Sequence, residues 1–65
     1  MKHKDLIRKL ADNGMHYVRS GGVHDIYGRL DAGGMVTTSV PRRREINEVT
    51  ARRILRHFNI EEQGR

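Results

Sequence analysis

A chain of 65 residues without cysteine has room for one small domain, here expected over residues 1–65, and it excludes disulfide bonds and thiolate metal sites. Thirteen lysines and arginines against eight aspartates and glutamates leave a net charge of +5, which favours a polyanionic or acidic partner. No apolar run approaches the roughly 20 residues of a membrane span, and no signal-peptide core follows the first residues. We therefore expect a cytoplasmic protein without membrane contact.

The first stretch, HKDLIRKLADNG, predicts an amphipathic helix. Its apolar residues recur at helical spacing and form one stripe: Leu6, Ile7, Leu10 and Ala11. The Asn-Gly pair at 13–14 is typical of a helix C-terminus, because glycine adopts the left-handed conformation at little cost.

Three short runs separated by turn residues then predict a three-stranded antiparallel meander. The strands are expected at 15–19, 23–30 and 35–40, with turns at 20–22 and 31–34 and with Pro41 ending the last strand.

After a basic connector, the stretch EVTARRILRHFNI predicts a second amphipathic helix. Asn47 or Thr50 is the expected N-cap, and the final EEQGR, residues 61–65, is expected to be a frayed tail. The apolar stripe of this helix is predicted at Val49, Ile54, Leu55 and Phe58.

The order of elements is therefore α-β-β-β-α. Two amphipathic helices can cover one face of a small sheet, which predicts an α+β fold with a three-stranded antiparallel sheet covered on one face. Double-stranded-RNA-binding domains have this order of elements, although a fold alone does not assign a function.

The histidine after the first hairpin is the main candidate for chemistry. Gly21 and Gly22 let the backbone turn tightly and approach another molecule closely. His24 follows at the margin of the sheet, held by a strand, and imidazole both takes and returns a proton near neutral pH. From these residues alone, a hairpin with a solvated histidine is the better explanation, because a single histidine and a Gly-Gly pair are both common.

The other histidines give no comparable signal. His3 and His57 are expected to be surface residues, and no pair has metal-ligand spacing, so we expect neither a metal nor another cofactor. His16, on the neighbouring strand, and Asp25 are alternative candidates for a second acid or base.

The arginines cluster in the second half of the chain. They either contact RNA phosphates, bind an acidic partner or, on the second helix, form its solvent-exposed face. The candidate nucleic-acid-binding residues are Gly21, Gly22, Arg42, Arg43, Arg44, Arg52 and Arg53.

Taken in order along nearly the whole chain, four pieces resemble the HicA family of toxins, small ribonucleases of bacterial and archaeal toxin–antitoxin pairs. These are DLIRKLADNG followed at once by a strand, the hairpin GGVHDIY, the strand VTTSVP, and EINEVTARRILRHFNI, which is similar to the family's Thr-x-x-x-Ile-Leu helix. Two departures stand out: Val23 occupies a position that is usually small or polar, and three arginines follow the proline instead of a histidine or lysine.

The resemblance implies a metal-independent endoribonuclease that cuts mRNA, blocks translation and is neutralised by a HicB-type antitoxin. It also implies a fold like that of double-stranded-RNA-binding domains and His24 as the catalytic residue. Two other functions stay open on the residues themselves. One is a non-catalytic RNA-binding module of the same fold, and the other is a basic domain that binds an acidic protein.

Overall fold

The computed structural model describes residues 1–60 and has the predicted order of elements. The tail expected at residues 61–65 lies outside the described residues. The elements are α1 (His3–Asp12), β1 (His16–Gly21), β2 (His24–Asp31), β3 (Gly34–Pro41) and α2 (Glu48–His57). The strands form one antiparallel sheet in the order β1-β2-β3, so the α+β prediction is confirmed.

The first hairpin turns one residue later than predicted. Gly21 pairs with His24, which leaves Gly22 and Val23 as a two-residue loop. Gly22 has a φ of +79°, and a positive φ at the first loop residue only is the pattern of a type II′ turn, which matches the twist of the flanking strands. Ser20 and Gly21 therefore belong to β1, and Val23 leaves the predicted strand and is 74% exposed.

The core is made by both helices, the third strand and the segments that join them. Its buried residues are Leu6, Leu10, Met15, Val40, Ile46, Ala51, Ile54, Leu55 and Phe58. Two positions of the predicted stripes are wrong, because Ala11 and Val49 are exposed. The helix α2 buries Ala51, Ile54 and Leu55, and its C-cap Phe58 is buried as well. Val49 lies about 200° around the helix from Ala51.

The register shows which face of the sheet the helices cover. Along β3 the even-numbered residues are the more buried ones, and Val40 is fully buried in the core. Residues paired across strands point to the same face, so Asp25, the partner of Val40, faces the helices. His24 and Ile26 alternate with Asp25 and lie on the open face.

The start of α1 is tied to the connector between β3 and α2. The His3 N–H donates to the Arg44 carbonyl at 2.9 Å, and Lys2 forms an antiparallel bridge with Glu45. At the start of α2, the Asn47 side chain accepts a hydrogen bond of 2.7 Å from the Val49 N–H, which confirms Asn47 as the N-cap. These contacts bring the start of α1 beside the basic connector.

Neither helix, at 10 residues each, has the length and apolar character that a membrane-crossing helix needs; this finding covers residues 1–60.

Candidate functional site

His24 is held at one end of the middle strand. It is the first residue of β2 and pairs with Gly21 on one side and Pro41 on the other. The side chain is half-buried. A histidine flanked by two strands has a fixed backbone and an accessible ring, which is the placement that a catalytic group needs.

Arg42 fastens the hairpin that precedes His24. Its backbone N–H donates to the Val23 carbonyl at 3.3 Å, and its Nε donates to Oδ1 of Asp25 at 2.9 Å. Its Nη2 donates to the Ser20 hydroxyl. The guanidinium of Arg42 therefore uses two of its nitrogens within the protein and holds β1, β2 and the connector together.

A cavity of about 360 Å³ brings His24 together with one face of α2. The cavity lies at the edge of the sheet formed by β3 and reaches both faces, because Thr38 of the helix-covered face lines it together with Ser39 and His24 of the open face. Its lining residues are His24, Thr38, Ser39, Pro41, Thr50, Arg53, Ile54 and His57.

The polar residues of α2 at this cavity follow helical spacing. Thr50, Arg53 and His57 are three and four residues apart, so they form one stripe along the helix. The cavity thus combines two imidazoles, one guanidinium and several hydroxyls. This set can move protons and bind a phosphate.

His57 was expected to be an ordinary surface residue, and it is exposed, but it shares the cavity with His24. Its spacing from Arg53 was visible in the sequence. The missing information was which face of α2 lies beside β3.

The two residues considered as a second acid or base lie elsewhere. His16 pairs with Gly28, four residues along β2 from His24, which is about 13 Å at the rise of a strand. Asp25 faces the helices and is bound to Arg42, on the side of the sheet opposite to His24.

A second, strongly basic cavity of about 660 Å³ opens at the start of α1. Its lining residues are Lys2, His3, Lys4, Asp25, Arg42, Arg43 and Arg44. Five of these are lysine or arginine, and the carboxylate of Asp25 is already paired with Arg42. The positive end of a helix dipole adds to this field, so the cavity is suited to an anion.

His3 also differs from the surface residue that was expected. It is half-buried in the basic cavity, and within residues 1–60 its Nε2 is buried without a hydrogen-bond partner.

The structure separates the two arginines of α2 that were expected to bind RNA. Arg53 lines the cavity of His24. Arg52 is exposed, and its positive charge lowers the pKa of Glu48, which lies one turn earlier in the helix. The pKa of Glu48 is lowered first by a hydrogen bond from the Met1 amino group and by its charge, and to a smaller extent by Arg52.

Among the described residues, no three histidine, aspartate or glutamate side chains come together in a group that could hold a metal ion.

The fold and the site together describe a small, basic α+β protein with an open sheet face, a histidine at the sheet margin and cationic cavities around it. The family model of the HicA toxin of bacterial toxin–antitoxin systems matches residues 3–60. The chain therefore belongs to the HicA family and is the toxin type of such a pair. Comparison with curated proteins and with solved structures gives no match.

Proposed function

We propose that this toxin is a metal-independent endoribonuclease that cuts mRNA, with His24 as a general acid or base. The observation that carries the proposal is that His24 and Arg53 line one cavity, so a proton-transfer group and a side chain that can bind a phosphate face the same space. Membership of the HicA family supports the same reaction.

The chemistry needs little from the protein, because RNA carries its own nucleophile. Removal of the proton from the 2′-hydroxyl lets this oxygen attack the adjacent phosphorus, and the bond to the 5′-oxygen breaks. The products are a 2′,3′-cyclic phosphate and a 5′-hydroxyl end. A positioned imidazole contributes about 10²–10⁴-fold to such a step. Arg53 stabilises the charge that develops on the phosphate.

The bound RNA extends from the cavity of His24 towards the basic cavity. Pro41 lines the first and its neighbour Arg42 lines the second, so the two openings lie at the same end of the sheet. Arg43 and Arg44 contact neighbouring phosphates, while Arg42 supports the hairpin. Phosphate contacts of this kind give steep salt dependence and little sequence preference.

The partner that neutralises the toxin is a HicB-type antitoxin, which covers His24 and the basic surface. Exposed apolar side chains near the open face support a protein partner there. Leu30 is 75% exposed and pairs with Met35, which is 56% exposed, and Val23 projects from the hairpin beside His24. Contact with Val23 would close the route of RNA to His24, and Leu30 and Met35, at the other end of β2 and β3, would extend the interface along the sheet.

Expression of the toxin alone in a bacterium tests the proposal. The wild type should degrade mRNA in the cytoplasm and so arrest growth. His24→Ala should not arrest growth, although the purified variant should still fold and bind RNA. Arrest as strong as that of the wild type by His24→Ala would contradict the catalytic assignment.

The basic cavity does not include His24, so it also suits a non-catalytic RNA-binding module. Such a module would bind RNA in both forms and leave it intact. A domain for an acidic protein would show negligible RNA binding at moderate salt.

A further inference from the structure

We propose that His57 is the second proton-transfer residue of this site, and that it protonates the departing 5′-oxygen while His24 removes the proton of the 2′-hydroxyl. This inference rests on the proposed ribonuclease function. It assigns a role to a residue that the sequence pattern left on the surface.

His24 and His57 have access to one cavity. His24 comes from the start of β2 and His57 from the last turn of α2, yet both line the same space of about 360 Å³. Arg53 lies one helical turn before His57 and lines the same cavity. A phosphate bound by Arg53 would therefore lie in the space that both imidazoles line.

The ring of His57 is supported by the core. It packs edge-on against Phe58, with the ring centres 4.8 Å apart, and Phe58 is buried in the core. This contact restricts the imidazole on an otherwise exposed helix end. A proton donor has to be held in place, and packing against the core helps to do so.

The place of His57 at the end of α2 suits the role of proton donor. His57 lies in the last turn of α2, where the negative end of the helix dipole interacts favourably with a positive charge. Arg53 and Arg56, on the same helix, would repel a positive charge on His57. No carboxylate among residues 1–60 lines the cavity. The scissile phosphate is thus the anion that Arg53 and the protonated His57 would meet together.

The protons and electrons balance without a further reactant. The 2′-hydroxyl gives its proton to His24, and its oxygen forms the new bond to phosphorus. The bond from phosphorus to the 5′-oxygen breaks, and this oxygen receives the proton of His57. Exchange with water then returns both imidazoles to their starting forms.

The test uses RNA with two leaving groups at a site that the wild type cuts. One substrate has the natural 5′-oxygen, and the other has sulfur in its place, which leaves as a thiolate without needing a proton. His57→Gln should slow cleavage of the natural RNA by about 10²-fold or more, the usual contribution of a general acid. It should cleave the sulfur substrate nearly as fast as the wild type, and His24→Ala should be slow on both substrates.

His16→Gln is the matched control, because it replaces an exposed histidine about 13 Å away along the sheet. It should cleave both substrates at the wild-type rate. Affinity for RNA with a 2′-deoxy nucleotide at the cut site, which cannot be cleaved, should be the same for wild type, His57→Gln and His16→Gln.

Three results would overturn the assignment of His57. The first is cleavage of natural RNA by His57→Gln at the wild-type rate. The second is an equal loss on both substrates, which would show a role in binding or folding. The third is slow cleavage of the natural RNA by His16→Gln and not by His57→Gln. If the wild type itself leaves RNA intact, the proposed function fails, and this result is distinct from the other three.

Discussion

Replacement of Gly28 by alanine tests how closely the middle strand approaches the edge strand. Gly28 is buried in β2 and pairs with Thr37. A Cβ added there would lie 2.8 Å from the Thr37 Cγ2 and 2.8 Å from the Val36 carbonyl oxygen. It would also lie 3.2 Å from the sulfur of Met35. The carbonyl belongs to the backbone of β3, so it moves only if the two strands move apart.

The change in the free energy of unfolding combines the cost of overpacking with the gain from a more restricted unfolded chain. Carbon atoms pack best at about 3.5–4.0 Å, so β2 and β3 would have to separate by roughly half an ångström or more. Overpacking of this kind costs about 1–3 kcal/mol. The alanine also stabilises the protein by about 0.4–1 kcal/mol, because it lowers the conformational entropy of the unfolded chain. We expect Gly28→Ala to lower the free energy of unfolding by about 1–2 kcal/mol, which is about 5–15 °C in Tm for a domain of this size.

The assay is thermal and urea unfolding followed by circular dichroism, with Gly33→Ala as the matched control. Gly33 lies in the loop before β3, and a Cβ added there meets nothing within 4 Å. Its φ is also outside the left-handed region. The control should stay within about 0.5 kcal/mol of the wild type. A Gly28→Ala variant that melts with the control would refute the close approach of the two strands.

Three further predictions concern charge. Asp25→Asn should lower the stability by about 1 kcal/mol in urea unfolding, because Arg42 loses the ionised acceptor that holds the hairpin, and an unchanged midpoint would show that the pair contributes nothing. Arg43→Gln should weaken RNA binding for all sequences alike and reduce the slope of log K against log salt by about 0.7, and an unchanged slope would remove this residue from the interface. Burial, followed by the charges of Asp25 and Tyr17, raises the pKa of Tyr27 above its ordinary value of 10.0. The Tyr27 hydroxyl therefore loses its proton at a lower pH in the unfolded chain than in the folded one. Its contribution to the free energy of unfolding should be fully present below pH 10.0 and should fall as the pH rises above it. Alkaline unfolding should show a smaller fall for Tyr27→Phe than for the wild type, and an equal fall would contradict it.

The order of elements was predictable because each one carries a local signal of its own. The stripe of α1 ends at an Asn-Gly pair, and Gly14 indeed has a positive φ of 86°. The glycine pair at 21–22 marked the first hairpin, but two glycines in sequence allow more than one turn register. Pairing of Gly21 with His24 decides between them, and this pairing depends on the register of the whole sheet.

The residues that were missed depend on contacts between elements. Val49 fits a helical apolar stripe, but the core lies on the side of Ala51 and Leu55. His57 is unremarkable within its own helix and becomes a candidate only because α2 lies beside the edge strand near His24. Gly28 carried a signal that can be recognised, since a lone glycine within a strand often marks a close approach of backbones.

The most direct test of the central claim is the cleavage rate of purified protein on RNA, in the presence of a chelator, for the wild type and His24→Ala. The wild type should cut RNA to give 2′,3′-cyclic phosphate ends. His24→Ala should cut RNA more slowly by about 10²–10⁴-fold, with the same fold and RNA affinity as the wild type. Cleavage by His24→Ala at the wild-type rate, or wild-type cleavage that needs an added metal ion, would contradict the claim.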